Sequence, residues 1–134
     1  MSDAWDATLQ SLESAVHDFV RGDGTAYRSL WSRRDDVCLM GAYGGIITGW
    51  ADVSQRIEWA ADHFATWKGS FTCRDVLATV SGDLAVLVRE ETIINQDAPN
   101  EPQSQHRRLT LAFRQEHGQW RIFHQHSDPM TAHT

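Results

Sequence analysis

Two imidazoles stand two residues apart near the end of the chain, in Trp120-Arg121-Ile122-Phe123-His124-Gln125-His126-Ser127. Imidazole gives and takes a proton near neutral pH and also ligates metals, so a His-x-His pair on one strand face has chemistry open to it. Three readings stand side by side. His124 and His126 bind or protonate a small ligand in a pocket, which makes them the catalytic candidates. Alternatively they hold a metal, with His63 or Glu91 as the third ligand that such a site needs. In the third reading they are structural, tying strand to helix by hydrogen bonds. The expectation is a pocket pair with no metal and no other cofactor. A nucleophilic mechanism has little to build on. Cys38 and Cys73 lack a histidine in local register, and Ser127 points away from the face of His126.

The element that must position the pair is a hairpin. An apolar run, residues 109–113, precedes the turn Glu116-His117-Gly118-Gln119, and the last strand follows. With His117-Gly118 closing the turn, Phe113 falls opposite Ile122, Leu111 opposite His124 and Leu109 opposite His126. Alternation along a strand then puts Ile122, His124 and His126 together on the apolar face.

Upstream, Trp5, Leu9, Leu12, Val16 and Phe19 recur at helical spacing and predict a helix over 3–20. A short helix over 26–32 carries Tyr27, Leu30 and Trp31. Short strands, 37–40 and 46–48, flank the glycine-rich turn 41–45. A third helix, 51–66, buries Val53, Ile57, Ala60, Ala61 and Phe64, and aligns Arg56, Trp59, His63 and Trp67 along the adjacent edge. That edge is the rim of a cavity or a second packed side. Strands over 71–80 and Leu84–Ile94 join at Gly82-Asp83. An uninterrupted register sets Val80 against Ala85, Ala78 against Leu87, Val76 against Arg89 and Arg74 against Glu91. The Arg74–Glu91 pair would account for both charges structurally; Arg89, Glu90 and Glu91 are also candidates for polar groups in the pocket. The polar stretch 95–105 reads as a long exposed connection. The expected ligand-binding set is Tyr27, Trp31, Trp59, His63, Arg89, Glu91, His124 and His126.

At 134 residues the chain, 1–134, reads as one domain with a single core. Hydrophobic content of 41% and charged content of 22% are those of an ordinary globular protein. A net charge of −6, with only Arg33-Arg34 and Arg107-Arg108 as basic pairs, argues against nucleic acid as a partner. No apolar run approaches the roughly 18 residues of a membrane helix, so no membrane partner is expected. Two distant cysteines and a start without a basic-then-apolar leader suit a cytoplasmic protein.

Helices gathered on one face of an antiparallel sheet make an α+β domain. Four segments carry a resemblance: Gly22-Asp23, Ile47-Thr48-Gly49-Trp50, Val80-Ser81-Gly82-Asp83-Leu84-Ala85, and Gly118 through Ser127. In this order and spacing the chain resembles the SnoaL-like domains of the nuclear-transport-factor-like superfamily, also called cystatin-like or ketosteroid-isomerase-like. It is similar as well to the association domain of calmodulin-dependent kinase. The resemblance implies a cone of curved sheet around the N-terminal helices, a pocket between them, and homodimers through the sheet. It implies a small-molecule pocket protein, with isomerases, cyclases and dehydratases of apolar or polyketide-like compounds among its relatives. It also covers non-catalytic dimerisation or interaction modules, so whether this chain is an enzyme stays open. No acidic donor pair of the isomerase type can be placed, since the only tyrosines are Tyr27 and Tyr43. The sheet has apolar residues on both faces, Leu77, Val86 and Val88 against Val80, Ala85 and Leu87, and helices can cover only one.

Overall fold

The computed structural model describes residues 3–130. Among them, α1 (Asp3–Phe19) and α2 (Thr25–Ser29) come first, then β1 (Cys38–Met40), β2 (Ile47–Thr48) and α3 (Trp50–Phe64). Four long strands complete the chain: β3 (Ser70–Ser81), β4 (Leu84–Ile94), β5 (Ser104–Glu116) and β6 (Gln119–Pro129). They form one curved, unclosed sheet in the order β2-β1-β6-β5-β4-β3. All neighbours are antiparallel except β1 and β6. The α+β cone is the expected one, with the parallel β1–β6 contact as an addition.

The apolar stripes decide what packs where. Trp5, Leu12, Val16 and Phe19 of α1 and Val53, Ile57, Ala61 and Phe64 of α3 are buried. They face Leu87, Leu111, Phe113 and Ile122 from the concave side of the sheet in one apolar cluster. Trp5 sits edge-on to Phe113 and Trp120, with ring centroids 5.0 and 5.5 Å away. After α2 the chain runs beside β6: Ser32 N–H donates to Ile122 O and Ile122 N–H to Leu30 O. That contact buries Trp31 completely. Gly22 lies so close to Ala65 that a Cβ would sit 2.8 Å from the alanine methyl, which lets the end of α1 meet the end of α3.

Both hairpin turns fall where expected. His117 and Gly118 take positive φ, 52° and 79°, and Gly82 takes 60°. These suit two-residue turns whose twist matches the strands. Neither hairpin, however, keeps an uninterrupted register. In β6 the pairing runs Phe113–Ile122 and then Ala112–His124, so Phe123 is an extra residue. In β3 it runs Asp75–Arg89 and then Leu77–Val88, so Val76 is extra. Each is a β-bulge, which bends its strand and shifts everything beyond it by one residue. Side chains alternate with period two, so a one-residue shift moves each to the opposite face.

The consequence for the histidines is a correction. Leu111 lies opposite Gln125, not His124, and Leu109 opposite Ser127, not His126. Gln125 and Ser127 are buried, whereas His126 is exposed and His124 half-buried on the convex face. The second bulge corrects another pairing. Arg74 meets Glu90 at 2.7 Å, and Arg89 meets Asp75 at 2.8 Å.

The bulged register puts Gln125 inside and His126 outside. Gln125→Ala should therefore cost about 1–3 kcal/mol by leaving the buried Tyr27 hydroxyl without its acceptor, whereas His126→Ala should change stability by about 0.5 kcal/mol or less. Urea denaturation of the two variants checks this, and the reverse order of losses would sink the bulged register.

Candidate functional site

Between the concave face and the helices lies a cavity of about 40 Å³. A water needs roughly 10–15 Å³, so the space has room for about three. Its walls are apolar: Leu12, Val16 and Phe19 from α1, Ile57 and Ala60 from α3, Leu39 from β1 and Leu109 from β5. Its polar lining converges from Tyr27, Glu91, Arg107, Gln125 and Ser127, with Arg56 of α3 at the loop side. The remaining wall is the loop between β1 and β2, through Gly41, Ala42 and Tyr43. Tyr43 closes that side edge-on to Trp59 and His63, at 5.2 and 5.0 Å between centroids. The loop is held by Gln105 Nε2 donating to the Tyr43 hydroxyl and Arg56 Nη1 donating to Gly44 O, both at 3.3 Å. It is the part of the wall that is neither sheet nor helix.

The polar groups form two connected sets. In the first, the Tyr27 hydroxyl donates to Gln125 Oε1 at 2.6 Å, and Gln125 Nε2 donates to Ser127 Oγ at 3.2 Å. Burial pushes the Tyr27 pKa above its ordinary value near 10.0, and the neighbouring Glu91 charge adds to the rise. In the second set, Arg107 Nε donates to Glu91 Oε1 at 3.0 Å, and its Nη2 forms an ion pair with the same oxygen at 2.8 Å. Behind Glu91 stands Arg89, its Nη1 3.6 Å from Glu91 Oε2, too far for a hydrogen bond. Burial opposes the Arg89 charge, yet the Asp75 hydrogen bond and the Glu91 charge outweigh it and raise its pKa. Glu91 is 1% exposed, Arg89 4% and Arg107 8%, so three charges sit inside the cone.

The expected ligand-binding residues therefore divide. Tyr27 and Glu91 line the cavity, and Arg89 is buried directly behind Glu91. Trp31 is core beneath α2 and does not line the cavity. Trp59 is 52% exposed on the outer side of α3, with Arg56 over its ring at 5.2 Å. His63 packs against Tyr43 and Phe64 behind the loop. His124 and His126 are absent from the cavity, displaced by the bulge at Phe123. Among the described residues, no group of three or more His, Cys, Asp or Glu is arranged to hold a metal. No helix among them is long and apolar enough to cross a membrane.

Arg107, Gln125, Ser127 and Tyr43 were missed. Arg107 had a signal: it alternates in phase with Leu109, Leu111 and Phe113, and β5 begins at Ser104, well before the apolar run. Gln125 and Ser127 share a face with Ile122 only because of the bulge.

The SnoaL-like domain profile matches residues 9–132. The chain belongs to the SnoaL-like domain family. No curated relative matches it. Solved structures share the fold at low identity. A candidate dehydratase of the nuclear transport factor 2-like family from Streptomyces avermitilis superposes with TM-score 0.76 at 20% identity, covering 97% of both chains. A candidate calcium/calmodulin-dependent protein kinase type II association domain from Thiobacillus denitrificans gives 0.74 at 16%, covering 94% of both. A nuclear transport factor 2-like protein of unknown function from Shewanella oneidensis gives 0.69 at 18%, covering 94% of this chain and 97% of its own. Within this SnoaL-like domain, Tyr27, Gln125 and Ser127 form one polar chain of the cavity lining, and Glu91 with Arg107 form the other, with Arg89 behind them.

Two measurements test that polar floor. The native Tyr27 pKa lies above the unfolded one, so the native state keeps a proton that the unfolded chain gives up. The stability this confers is complete below about pH 10 and is lost as pH rises beyond it. Tyr27→Phe should cost about 1–3 kcal/mol at pH 7, because Gln125 Oε1 loses its donor, and should flatten the loss between pH 9 and about pH 11. Equal slopes for the two proteins would count against the burial of the phenol. Separately, Arg107→Leu should cost about 3–5 kcal/mol by stranding Glu91, while Arg107→Leu with Glu91→Leu should recover most of it. Additive losses in that cycle would mean that the pair is not coupled.

Proposed function

We propose that this SnoaL-like domain is a small-molecule pocket protein that receives a compact, mainly apolar compound. The observation that carries the reading is a walled, apolar cavity whose polar floor contains buried charges. A core built only for stability gains nothing from such charges, since hydrocarbon of the same volume serves as well or better. Small-molecule sites combine apolar walls with a few convergent polar groups in this way.

Isomerisation, cyclisation or dehydration of an apolar or polyketide-like compound is the enzymatic form of the proposal. The candidate dehydratase among the similar folds supports that form only by analogy. Arg107 is placed to polarise a bound carbonyl. Glu91, the carboxylate of the cavity lining, has one oxygen hydrogen-bonded and ion-paired to Arg107 and the other turned toward Arg89, which does not favour it as a free base. Binding is thus supported further than catalysis. The test is a cavity-filling variant. Ala60→Trp should abolish binding of small apolar compounds detected by ligand-observed NMR, and should remove any small molecule that native mass spectrometry finds on the purified wild type, with the far-UV CD spectrum unchanged. Undiminished binding by a folded Ala60→Trp protein would sink the pocket reading.

A second reading, a non-catalytic dimerisation module, is favoured by a separate observation. On the convex face Leu77, Leu84 and Val86 adjoin one another across β3 and β4 and are 50%, 54% and 36% exposed. A second copy of the chain would cover this patch by two-fold pairing of like surfaces. Sedimentation velocity at micromolar concentration should show a dimer that Val86→Glu dissociates; a monomeric wild type would rule the dimer out.

A further inference from the structure

The cavity's hydrogen-bond inventory is lopsided. Its strongest acceptors are committed. Glu91 Oε1 accepts from Arg107 Nε and is ion-paired with its Nη2, and Gln125 Oε1 accepts from the Tyr27 hydroxyl. Glu91 Oε2 is sealed from any space and faces Arg89 Nη1. Donors, in contrast, remain. A guanidinium carries five N–H groups, and the contacts of Nε and Nη2 with Glu91 leave Arg107 with the larger part of its fork. The Ser127 hydroxyl accepts from Gln125 and keeps its own proton to give, and Gln125 keeps its second amide N–H. These groups border the cavity between apolar walls on β1, β5 and α1.

We propose that the ligand presents an oxygen acceptor, a carboxylate or a ketone, to the Arg107 fork and Ser127, with its apolar remainder among Leu12, Val16, Leu39 and Leu109. This rests on the reading of the cavity as a small-molecule site and specifies its head group. Arg107 suits the task because its planar fork is already oriented by Glu91, so little side-chain freedom is lost when a ligand binds. The same inventory rejects a ligand whose only head is an ammonium. Such a group is donor-only, and it would meet a guanidinium with no free carboxylate oxygen between them.

Three fluorinated probes of one size separate the possibilities: 4-fluorobenzoate, 4-fluoroacetophenone and 4-fluorobenzylammonium. Their binding to the full chain is followed by fluorine NMR line broadening. At least one of the two acceptor probes should bind about ten-fold or more tightly than the ammonium, the worth of one good hydrogen bond to a charged group. Which of the two prevails distinguishes an anionic from a neutral head. The preference should vanish in Arg107→Leu with Glu91→Leu, a pair chosen because neither charge is left stranded. If that variant does not fold, Ser127→Ala provides the second measurement and should narrow the preference. Equal affinities for the three probes, or a preference for the ammonium, overturn the head-group assignment while leaving the pocket standing. Binding of no probe by the wild type removes the pocket reading and the head group with it. Acceptor preference that survives in the folded Leu pair places the head group elsewhere and overturns the proposal.

Discussion

One surplus residue in β6 governs which side chains the cavity contains. Up to Ile122 the strand follows its partner β5 in simple alternation, and Ile122 is fully buried opposite Phe113. Phe123 then occupies a place with no partner, and the strand resumes one step out of phase. The polar lining follows from this: an amide and a hydroxyl face inward, and two imidazoles face outward. The segment after α2 fixes the position of the step. Its hydrogen bonds to Ile122 anchor β6 just before the bulge, and β1 takes over as neighbour just after it, with Cys38 paired to His124. The bulge falls where β6 changes partners, and a change of partner is where a local bend in the ladder is least disruptive.

The second bulge, at Val76, acts on charge in the same way. It brings Asp75 opposite Arg89 and leaves Glu91 to Arg107, so an inward row of alternating charge runs across β3, β4 and β5. Asp75, half exposed, is the row's contact with solvent, and the members become fully buried toward the cavity. Without the step, Glu91 would lie opposite Arg74, a residue on the convex side that instead pairs with Glu90 and leaves the interior alone.

The parts legible in the sequence were those governed by local chemistry. Both turns were readable because a glycine-bearing pair between apolar runs admits few closures. The helices were readable from the spacing of Trp5, Leu12, Val16 and Phe19, and of Val53, Ile57 and Phe64. Tyr27 and Glu91 were placed in the site; Arg107 could have been, since it keeps step with Leu109 and Leu111. Gln125 and Ser127 could not. Their face depends on a count of residues across two strands, and Ile-Phe-His-Gln-His offers alternation in either phase. Trp31 and Trp59 illustrate another limit. Large rings suit a cavity wall, a core and a surface stack alike, and only tertiary packing decides among them. One became core and the other half-exposed beneath an arginine.

An open sheet has two unpartnered borders, and this one treats them differently. The β2 border is two residues long and offers almost nothing to add a strand to. The β3 border is twelve residues long and largely exposed. A border of that length, with Val76 and Leu77 at its middle, could template fibrillar growth by copies of itself. The surplus residue falls at that point, next to Arg74 and Asp75, so a straight incoming strand meets a kink and a pair of charges halfway along. The irregularity that aligns the interior charges thus also interrupts the straight ladder that edge-to-edge growth requires.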